Sequence, residues 1–477
     1  MKRSATLTVV ACALALAGCA LKPAPEREAI RSQSLPNVAV PSAHVAGGAG
    51  AGVVADGWVA TLRDPALDAL IAEAIAYNAD LRIAATRVDA AQAYVRAADS
   101  TLWPQVNLLA RGGGKMSDSS GLSGIGLVAG WELDLWGRVR STVRATELQY
   151  DAATLDTAYA QQSIAALVAK AWILAIEARL QLAQAEAMVR DADQLTALAA
   201  DRLRVGSGSE YDVAIAQASA ETFRDAARNL RLAFDNALRA IETLVGRYPG
   251  AQVAVATALP AWPGDVPAGL PAELLERRPD VIAAERRVAA AFYRIEEAKA
   301  ARLPRISLSA NLTSISSELF LLQERNNPLF SLGASLLQPV FLGGLLQAQV
   351  DVRTAEQQTA IAEYGKVAQR VFGEVEGALS AGLTAAQREE ILRRAVRDNA
   401  RALELAEVRY RVGAGDLRSV SQQRMALQAA QSALLRMQAE RLVQRVNLHL
   451  ALGGGFGPTP AVAVVVPDPE AVPPRGP

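Results

Sequence analysis

Few side chains in this sequence can do chemistry, and their spacing narrows the choice further. The 477 residues hold two histidines, His44 and His449, and two cysteines, Cys12 and Cys19. That is too little for a His/Cys metal site or for imidazole acid–base catalysis. No GxxxxGK[ST], HExxH or GxSxG string occurs, so a phosphate cradle, a zinc hydrolase site and a nucleophile elbow lack support. The five methionines form no thioether relay for copper. The expectation is a non-enzyme with no metal site and no cofactor. Lys+Arg and Asp+Glu both number 49, which leaves no electrostatic footprint for nucleic acid, and a 51% hydrophobic content excludes a disordered chain. What remains is one N-terminal thiol and two charged, glycine-bearing turns. The first is Arg204-Val205-Gly206-Ser207-Gly208, followed by Ser209, Glu210 and Asp212; the second is Arg409-Tyr410-Arg411-Val412-Gly413-Ala414-Gly415, followed by Asp416.

The thiol is the more specific signal. Lys2 and Arg3 precede an apolar run over 7–17, too short for a permanent span, so 1–18 reads as a signal peptide. Leu16-Ala17-Gly18-Cys19 resembles a bacterial lipobox, whose cysteine is diacylated and becomes the mature N-terminus; ordinary cleavage near Ala17 is the alternative. Cys12 leaves with the signal, so no internal disulfide can form. Two or three acyl chains hold a protein stably to a membrane, and Ala20 at the next position resembles the signal for the outer membrane. Residues 19–56, rich in Pro, Gly, Ala and Ser, read as an extended lipidated tether. Residues 456–477 read as a loose Pro-rich tail in which 461–466 is a short β-prone run.

The turns must be positioned by long elements, and those elements occur twice. Asp80-Leu-Arg-Ile-Ala-Ala-Thr-Arg-Val88 aligns with Asp280-Val-Ile-Ala-Ala-Glu-Arg-Arg-Val288, an offset of 200 that holds to Pro104 and Pro304. The two Arg-Val-Gly-x-Gly turns align at an offset of 207. Two repeats, 57–247 and 272–455, are therefore expected, joined by a Pro-rich linker at 248–271. In each, a helix stopped by proline precedes two strands, expected at 105–114 and 124–135, then at 305–315 and 329–341. Ile306, Leu308, Ala310 and Leu312 alternate with Ser307, Ser309, Asn311 and Thr313, so one face suits water and the other an apolar medium. Segments of ~10 residues suit a tilted membrane strand; two soluble hairpins packed on helices are the alternative. After the signal no run reaches the ~18 apolar residues of a membrane helix. Between Gly137 and Val205 there is neither Gly nor Pro, and residues 137–203 predict a helix of about 100 Å. Its counterpart at 344–412 carries Gly365, Gly373, Gly377 and Gly382, marking either close packing or a bend.

These strings, in order, resemble the TolC-like outer-membrane factors of tripartite export systems, in their NodT/OprM-type lipoprotein branch. The matching residues are Trp58, Asp64-Pro65-Ala-Leu67, Asn78-Ala-Asp-Leu81, Leu133-Asp-Leu-Trp-Gly-Arg138, Leu274-Leu-Glu-Arg-Arg-Pro-Asp280, Pro339-Val-Phe-Leu-Gly-Gly344, Glu374-Val-Glu376 and Ala451-Leu-Gly-Gly-Gly455. The resemblance implies a mainly α protein with a membrane β-barrel: a homotrimer whose twelve strands, four per protomer, stand on a hollow periplasmic α-helical barrel. Four strands alone cannot close a membrane barrel, so sharing removes the open edges.

Each glycine turn reverses a long helix, with glycine at the left-handed C-cap and Ser209 or Asp416 able to cap the next helix. The resemblance implies that Arg204, Val205, Gly206, Gly208, Ser209, Glu210, Arg411, Val412, Gly413 and Gly415 form a periplasmic tip that docks an adaptor (membrane fusion) protein. It also implies a gate, with Asp416, Arg409, Tyr410 and Asp212 as candidates. Three Asp416 copies would make a negative ring that Arg409 or Arg411 could neutralise; simple capping is the other reading. The second tip departs from the family pattern at Arg418, Ser421, Gln422 and Gln423. The implied function is a passive exit duct for drugs or other small molecules, driven by an inner-membrane RND-type pump and needing only the covalent lipid on Cys19. A type I secretion or metal-efflux duct, or a periplasmic coiled-coil scaffold lipoprotein, are the alternatives.

Overall fold

The computed structural model describes residues 21–47, 56–111, 122–269, 271–317 and 329–456. They form a mainly helical fold with one four-stranded sheet. In chain order the elements are α1 (Arg27–Ser34), α2 (Pro65–Tyr77), α3 (Ala79–Ser100), β1 (Gln105–Arg111), β2 (Leu122–Leu133), α4 (Arg138–Arg204) and α5 (Glu210–Leu244). Then come α6 (Leu274–Arg277), α7 (Pro279–Ala300), β3 (Arg305–Ser317), β4 (Leu329–Leu337), α8 (Leu345–Arg411) and α9 (Leu417–Ala451). Among the described residues no helix is long and apolar enough to cross a membrane.

Contacts gather the chain into two units. The first holds the segment up to Val38, Ala85–Asp156 and Asp280–Ala368, and so contains the sheet. All neighbouring strands are antiparallel, in the order β1-β2-β3-β4, so the hairpins of the two repeats join through β2 and β3. The register sorts side chains by chemistry. Leu108 pairs with Leu127, Leu127 with Leu312, and Leu312 with Phe330. That face also carries Val106, Ile125, Leu332 and Leu336, and its apolar side chains are exposed, Val106 at 64% and Leu332 at 74%. The other face is mainly polar, with Asn107, Ser307, Ser309, Asn311, Ser331 and Ser335 beside the apolar Leu109, Val128 and Leu337, and the Asn311 amide donates to the Ser331 hydroxyl at 3.4 Å. An exposed apolar face backed by a polar one is the inverse of a soluble sheet packed on a core. Two tryptophans tie strand ends to the ends of α3 and α7: Trp131 Nε1 donates to the Leu102 carbonyl at 2.9 Å and Trp136 Nε1 to that of Pro304 at 2.7 Å.

The strand and helix ends differ from the sequence expectation by a few residues. β4 stops at Leu337 rather than 341, because Pro339 has no amide to donate and Gly343 and Gly344 turn the chain at φ +60° and +87°. β2 spans 122–133 rather than 124–135, β3 runs on to Ser317, and the end expected for β1 at 112–114 lies outside the described residues. The long helices begin one residue later than expected, at Arg138 and Leu345.

The tether expectation needs a larger correction. Residues 19–56 are not extended throughout, because α1 forms within them and buries Ile30 at 2% exposure, with Leu35 just beyond it at 5%. Arg27 Nε bonds the Glu285 carboxylate at 2.7 Å. The Ser34 carbonyl sits so close to Gly365 that a Cβ there would lie 2.5 Å from its oxygen. Gly365 therefore marks close packing, although what it receives is the N-terminal segment rather than another long helix. Gly373, Gly377 and Gly382 face open space.

The second unit holds Ala39–Ala84, Thr157–Pro279 and Gln369 onward. Its core joins α2, α4, α5 and α9 around Trp172, Ile173, Ile176, Ile241 and Val446, and the linker residues Val253 and Val255 belong to it. Asp64 caps α2 through the amides of Ala66 and Leu67 and accepts from Trp172 Nε1 at 2.7 Å. In the same unit the Glu376 carboxylate accepts from the amides of Val45 and Ala46, at 3.0 and 2.7 Å, and faces His44 Nδ1 at 3.2 Å. Burial alone would raise the Glu376 carboxyl, but those amides and His44 hold it below its ordinary value.

Candidate functional site

The two glycine turns are built alike, atom for atom along the backbone. In the first, the Gly206 amide donates to the Leu203 carbonyl and the Ser207 amide to that of Arg202, at 3.0 and 2.9 Å. In the second, Gly413 donates to Tyr410 and Ala414 to Arg409, at 3.1 and 2.8 Å. Both are Schellman closures, which demand a left-handed residue; Gly206 and Gly413 both have φ +76°. Gly208 and Gly415 serve a different need. A Cβ on either would meet the Cβ of Arg202 at 2.9 Å or of Arg409 at 3.1 Å, so each lets the outgoing chain pass over the helix it has just left.

The caps that follow are not alike. Ser209 and Asp212 form a reciprocal capping box at the start of α5. Asp416 caps α9 alone, accepting from the Ser419 amide at 2.7 Å. That bond, with Arg418 and Arg409 nearby, holds the exposed Asp416 carboxyl below its ordinary value. The turns meet over a small cluster of Ala199, Ala216, Tyr410, Leu417 and Val420. Arg202 lies 4.3 Å above the Tyr410 ring, with its guanidinium toward the carbonyls of Tyr410 and Arg411 at 3.5 and 3.4 Å. Arg424 pairs with Glu407 at 2.7 Å. Around these residues lies a groove of about 360 Å³.

The profile of outer membrane efflux proteins matches residues 70–247 and again 270–454. The chain belongs to the outer membrane efflux protein family. The pyoverdine export outer membrane protein OpmQ of Pseudomonas aeruginosa is 30% identical over 416 residues, covering 84% of this chain and 87% of OpmQ. The cation efflux system protein CusC of Escherichia coli is 30% identical over 464 residues, covering 93% and 98%. Among solved structures, the outer-membrane channel OprN superposes with a TM-score of 0.79 at 26% identity, over 92% of this chain and 98% of OprN. This efflux protein is thus an outer-membrane channel component.

Set against the sequence expectations, the efflux protein brings the two tips together but gives several of their residues structural partners. Asp212 is committed to the capping box, and Tyr410 is 8% exposed beneath Arg202. Asp416, Arg409 and Arg411 remain exposed, as do Val205, Glu210 and Val412. Cys19 lies outside the described residues. Leu21, two residues on, packs with Ala145, Leu148 and Tyr293, and its Cδ2 lies 3.0 Å from where a Cβ on Gly137 would stand, just after β2.

Three structural contacts are not legible from sequence spacing: Arg202 on Tyr410, Glu376 on residues 44–46, and Arg278. The last is fully buried, donating to Glu374 at 2.7 Å, to the Ala451 carbonyl at 2.9 Å and to the Tyr159 hydroxyl at 3.1 Å. Both Arg278 and Glu374 belong to strings that carry the family resemblance, so those strings were the available signal.

Proposed function

We propose that three copies of this chain close their sheets into one twelve-stranded barrel and serve as the passive outer-membrane duct of a tripartite pump. The observation that carries this is the sheet: four strands with one exposed apolar face, one polar face, and outer edges on β1 and β4 that have no strand neighbour among the described residues. A sheet with open edges cannot span lipid, because each unpaired backbone group there costs several kcal/mol. Pairing β1 of one copy with β4 of the next removes both edges and turns the polar faces toward a water-filled lumen.

The duct performs no catalysis and draws its energy from an inner-membrane RND-type pump, reached through a periplasmic adaptor that docks on the paired tips. Acyl chains on Cys19 add a second hold on the membrane, which fits Leu21 seated beside the strand-to-helix junction. OpmQ is named for pyoverdine export and CusC for cation efflux at the same identity to this chain, so cargo is selected upstream rather than by the duct. Three Asp416 carboxylates around the axis form a cation-favouring ring at the constriction, beside their capping role.

The deciding experiment is the mass of the detergent-solubilised protein under mild conditions together with planar-bilayer conductance. Three protomers and discrete ion-conducting steps are expected; a monomeric or dimeric species without conductance overturns the reading.

A further inference from the structure

The chain sets one repeat against the other through a long helix and a short one, and the faces that do so recur without a cover. Strand β2 of the first repeat pairs with β3 of the second. Helix α4, which follows β2, packs against α7, which precedes β3: Ala145 and Leu148 cluster with Ala289, Ala290 and Tyr293, and Ala152 and Leu155 with Ala283. The Asp156 carboxylate adds an ion pair to Arg287.

The same side of the second long helix is exposed. Helices α4 and α8 both hold 67 residues, and the offset of 207 places Val352, Ala355, Thr359 and Ala362 on the positions of Ala145, Leu148, Ala152 and Leu155. The four in α4 are at most 3% exposed, whereas the four in α8 are all exposed, Val352 at 55%. At about 100° per residue these four share one side of α8, while Val350, Tyr364 and Ala368, on the opposite side, are buried. The matching short helix is uncovered too. Ala90 and Ala93 of α3, 200 positions before the buried Ala290 and Tyr293, are exposed.

The two uncovered faces fit each other as their counterparts do. Arg287 and Asp156 correspond to Arg87 and Glu363, again opposite charges, and neither of the latter makes an ion pair among the described residues. Arg87 lies near enough to Asp156 for its charge to act there, but Arg287 holds that carboxylate. Where Arg286 acts on Asp151 across the internal contact, the counterparts are Thr86 and Gln358, both neutral. Where Glu297 acts on Arg138, they are Ala97 and Leu345, both apolar. Bulk is exchanged in the same way: Tyr293 and Ala145, which share a cluster, become Ala93 and Val352. Each change on one helix is answered on the other.

We propose that α3 of one copy packs on the side of α8 that carries Val352 and Ala362 in a neighbouring copy, with Arg87 of the one paired to Glu363 of the other. This rests on the shared-barrel reading and adds to it a helical subunit interface. Strand β4 precedes α8 and β1 follows α3, so pairing β4 with the next copy's β1 brings that copy's α3 to α8, as β2 and β3 bring α4 and α7 together. The contact joins two different faces and so repeats around a closed ring.

Paired cysteines in the full-length protein in detergent, treated with a short bis-maleimide, test this. Arg87→Cys with Glu363→Cys in one chain should give covalent dimers and trimers on denaturing gels. Arg287→Cys with Asp156→Cys, the internal counterpart, should give linked monomers only, and the single-cysteine variants fix the background from Cys19. Charge reversal is the second measurement. Glu363→Arg sets two arginines against each other and should cut the trimer fraction at low salt roughly tenfold; adding Arg87→Glu should recover most of it. A wild-type trimer whose 87 and 363 cysteines yield only monomers, or whose trimer fraction ignores the reversal, overturns this interface and leaves the shared barrel standing. A wild-type protein that is monomeric under the same mild conditions overturns both.

Discussion

Asn78 and Arg278 occupy the same place in the two repeats, and the difference between them shows how one plan is held together in two ways. Asn78 sits at the start of α3, accepts from the amides of Asp80 and Leu81, and donates to the Leu244 carbonyl at the end of α5, at 2.8 Å. Arg278 precedes α7 and donates to the Ala451 carbonyl at the end of α9, 207 positions after Leu244. Each joins the start of one helix to the end of another. The arginine also reaches Glu374 and Tyr159, so the second half concentrates in one buried cation what the first distributes over a cap and the buried Glu242 carboxylate, which accepts from the linker amides of Ala251, Gln252 and Val253. Burying a guanidinium is tolerable only with such partners, and the site then depends on all of them.

Breaking that dependence should give the largest effect. Arg278→Ala leaves the Ala451 carbonyl without that donor, leaves Glu374 paired with Arg370 and empties a fully buried site, and should cost about 2–4 kcal/mol, seen as a large fall in thermal midpoint of the purified protein. Asn78→Ala should cost about 1–2 kcal/mol, the loss of a cap and one bond. Equal losses would mean the halves are held alike. Next in size is acid sensitivity at the pair Glu242 and His449. Burial, with Arg445 nearby, lowers the His449 pKa from 6.5 to about 3. The unfolded chain therefore binds a proton first, and stability falls as pH drops from 6.5 toward 3, by up to about 1.4 kcal/mol per unit. Burial would raise the Glu242 carboxyl, but the three linker amides and Arg247 hold it below 4.5, so its contribution is present above pH 4.5 and lost below. His449→Gln should remove the decline between pH 6.5 and 4.5 in urea-unfolding midpoints and keep the loss below it. A profile parallel to the wild type would show that His449 does not set the acid limit.

The glycines of α8 sharpen the contrast further, because α4 has none. Gly365→Ala forces the Ser34 carbonyl away and should cost about 1–3 kcal/mol, with faster proteolysis in residues 21–47. Gly373→Ala meets nothing within 4 Å of its new Cβ and should stabilise an isolated protomer by up to about 1 kcal/mol. A loss at Gly373 in the assembled protein would instead place another copy against that face.

Much of this was legible because it is local or periodic. Glycine at 206 and 413, proline at 104 and 304, and alternation at 306–312 act through backbone conformation within a few residues, so sequence spacing reports them directly. The repeat offset extended that legibility to pairs such as Asn78 and Arg278. The α1 contact was not legible: Ile30 and Arg27 become meaningful only beside Tyr364, Gly365 and Glu285, some 250 or more positions away, while the surrounding Pro, Ala and Ser suggest extended chain. The gate candidates show the same limit. Tyr410 looks available in the sequence, yet Arg202 from the other repeat covers it.

The smallest expected effect concerns the unequal caps. Asp416→Ala should lower local stability slightly, as any lost N-cap does, and Ser209→Ala by a similar small amount. Asp416→Asn is the informative change, because asparagine caps a helix about as well as aspartate and carries no charge. If the three carboxylates ring the constriction, they raise the local cation concentration, and Asp416→Asn should move the reversal potential in asymmetric salt toward that of an unselective pore with no change in thermal midpoint. Arg409 and Arg418 oppose this by lying close enough to partly neutralise each carboxylate, so Arg409→Gln should move the reversal potential the opposite way. Ser209→Ala supplies the control, since it disturbs the matching turn of the first repeat, where the acid Asp212 is already bound to its own cap. A reversal potential that ignores Asp416→Asn and Arg409→Gln alike would leave Asp416 with the capping role only and move the selectivity determinant away from the second tip.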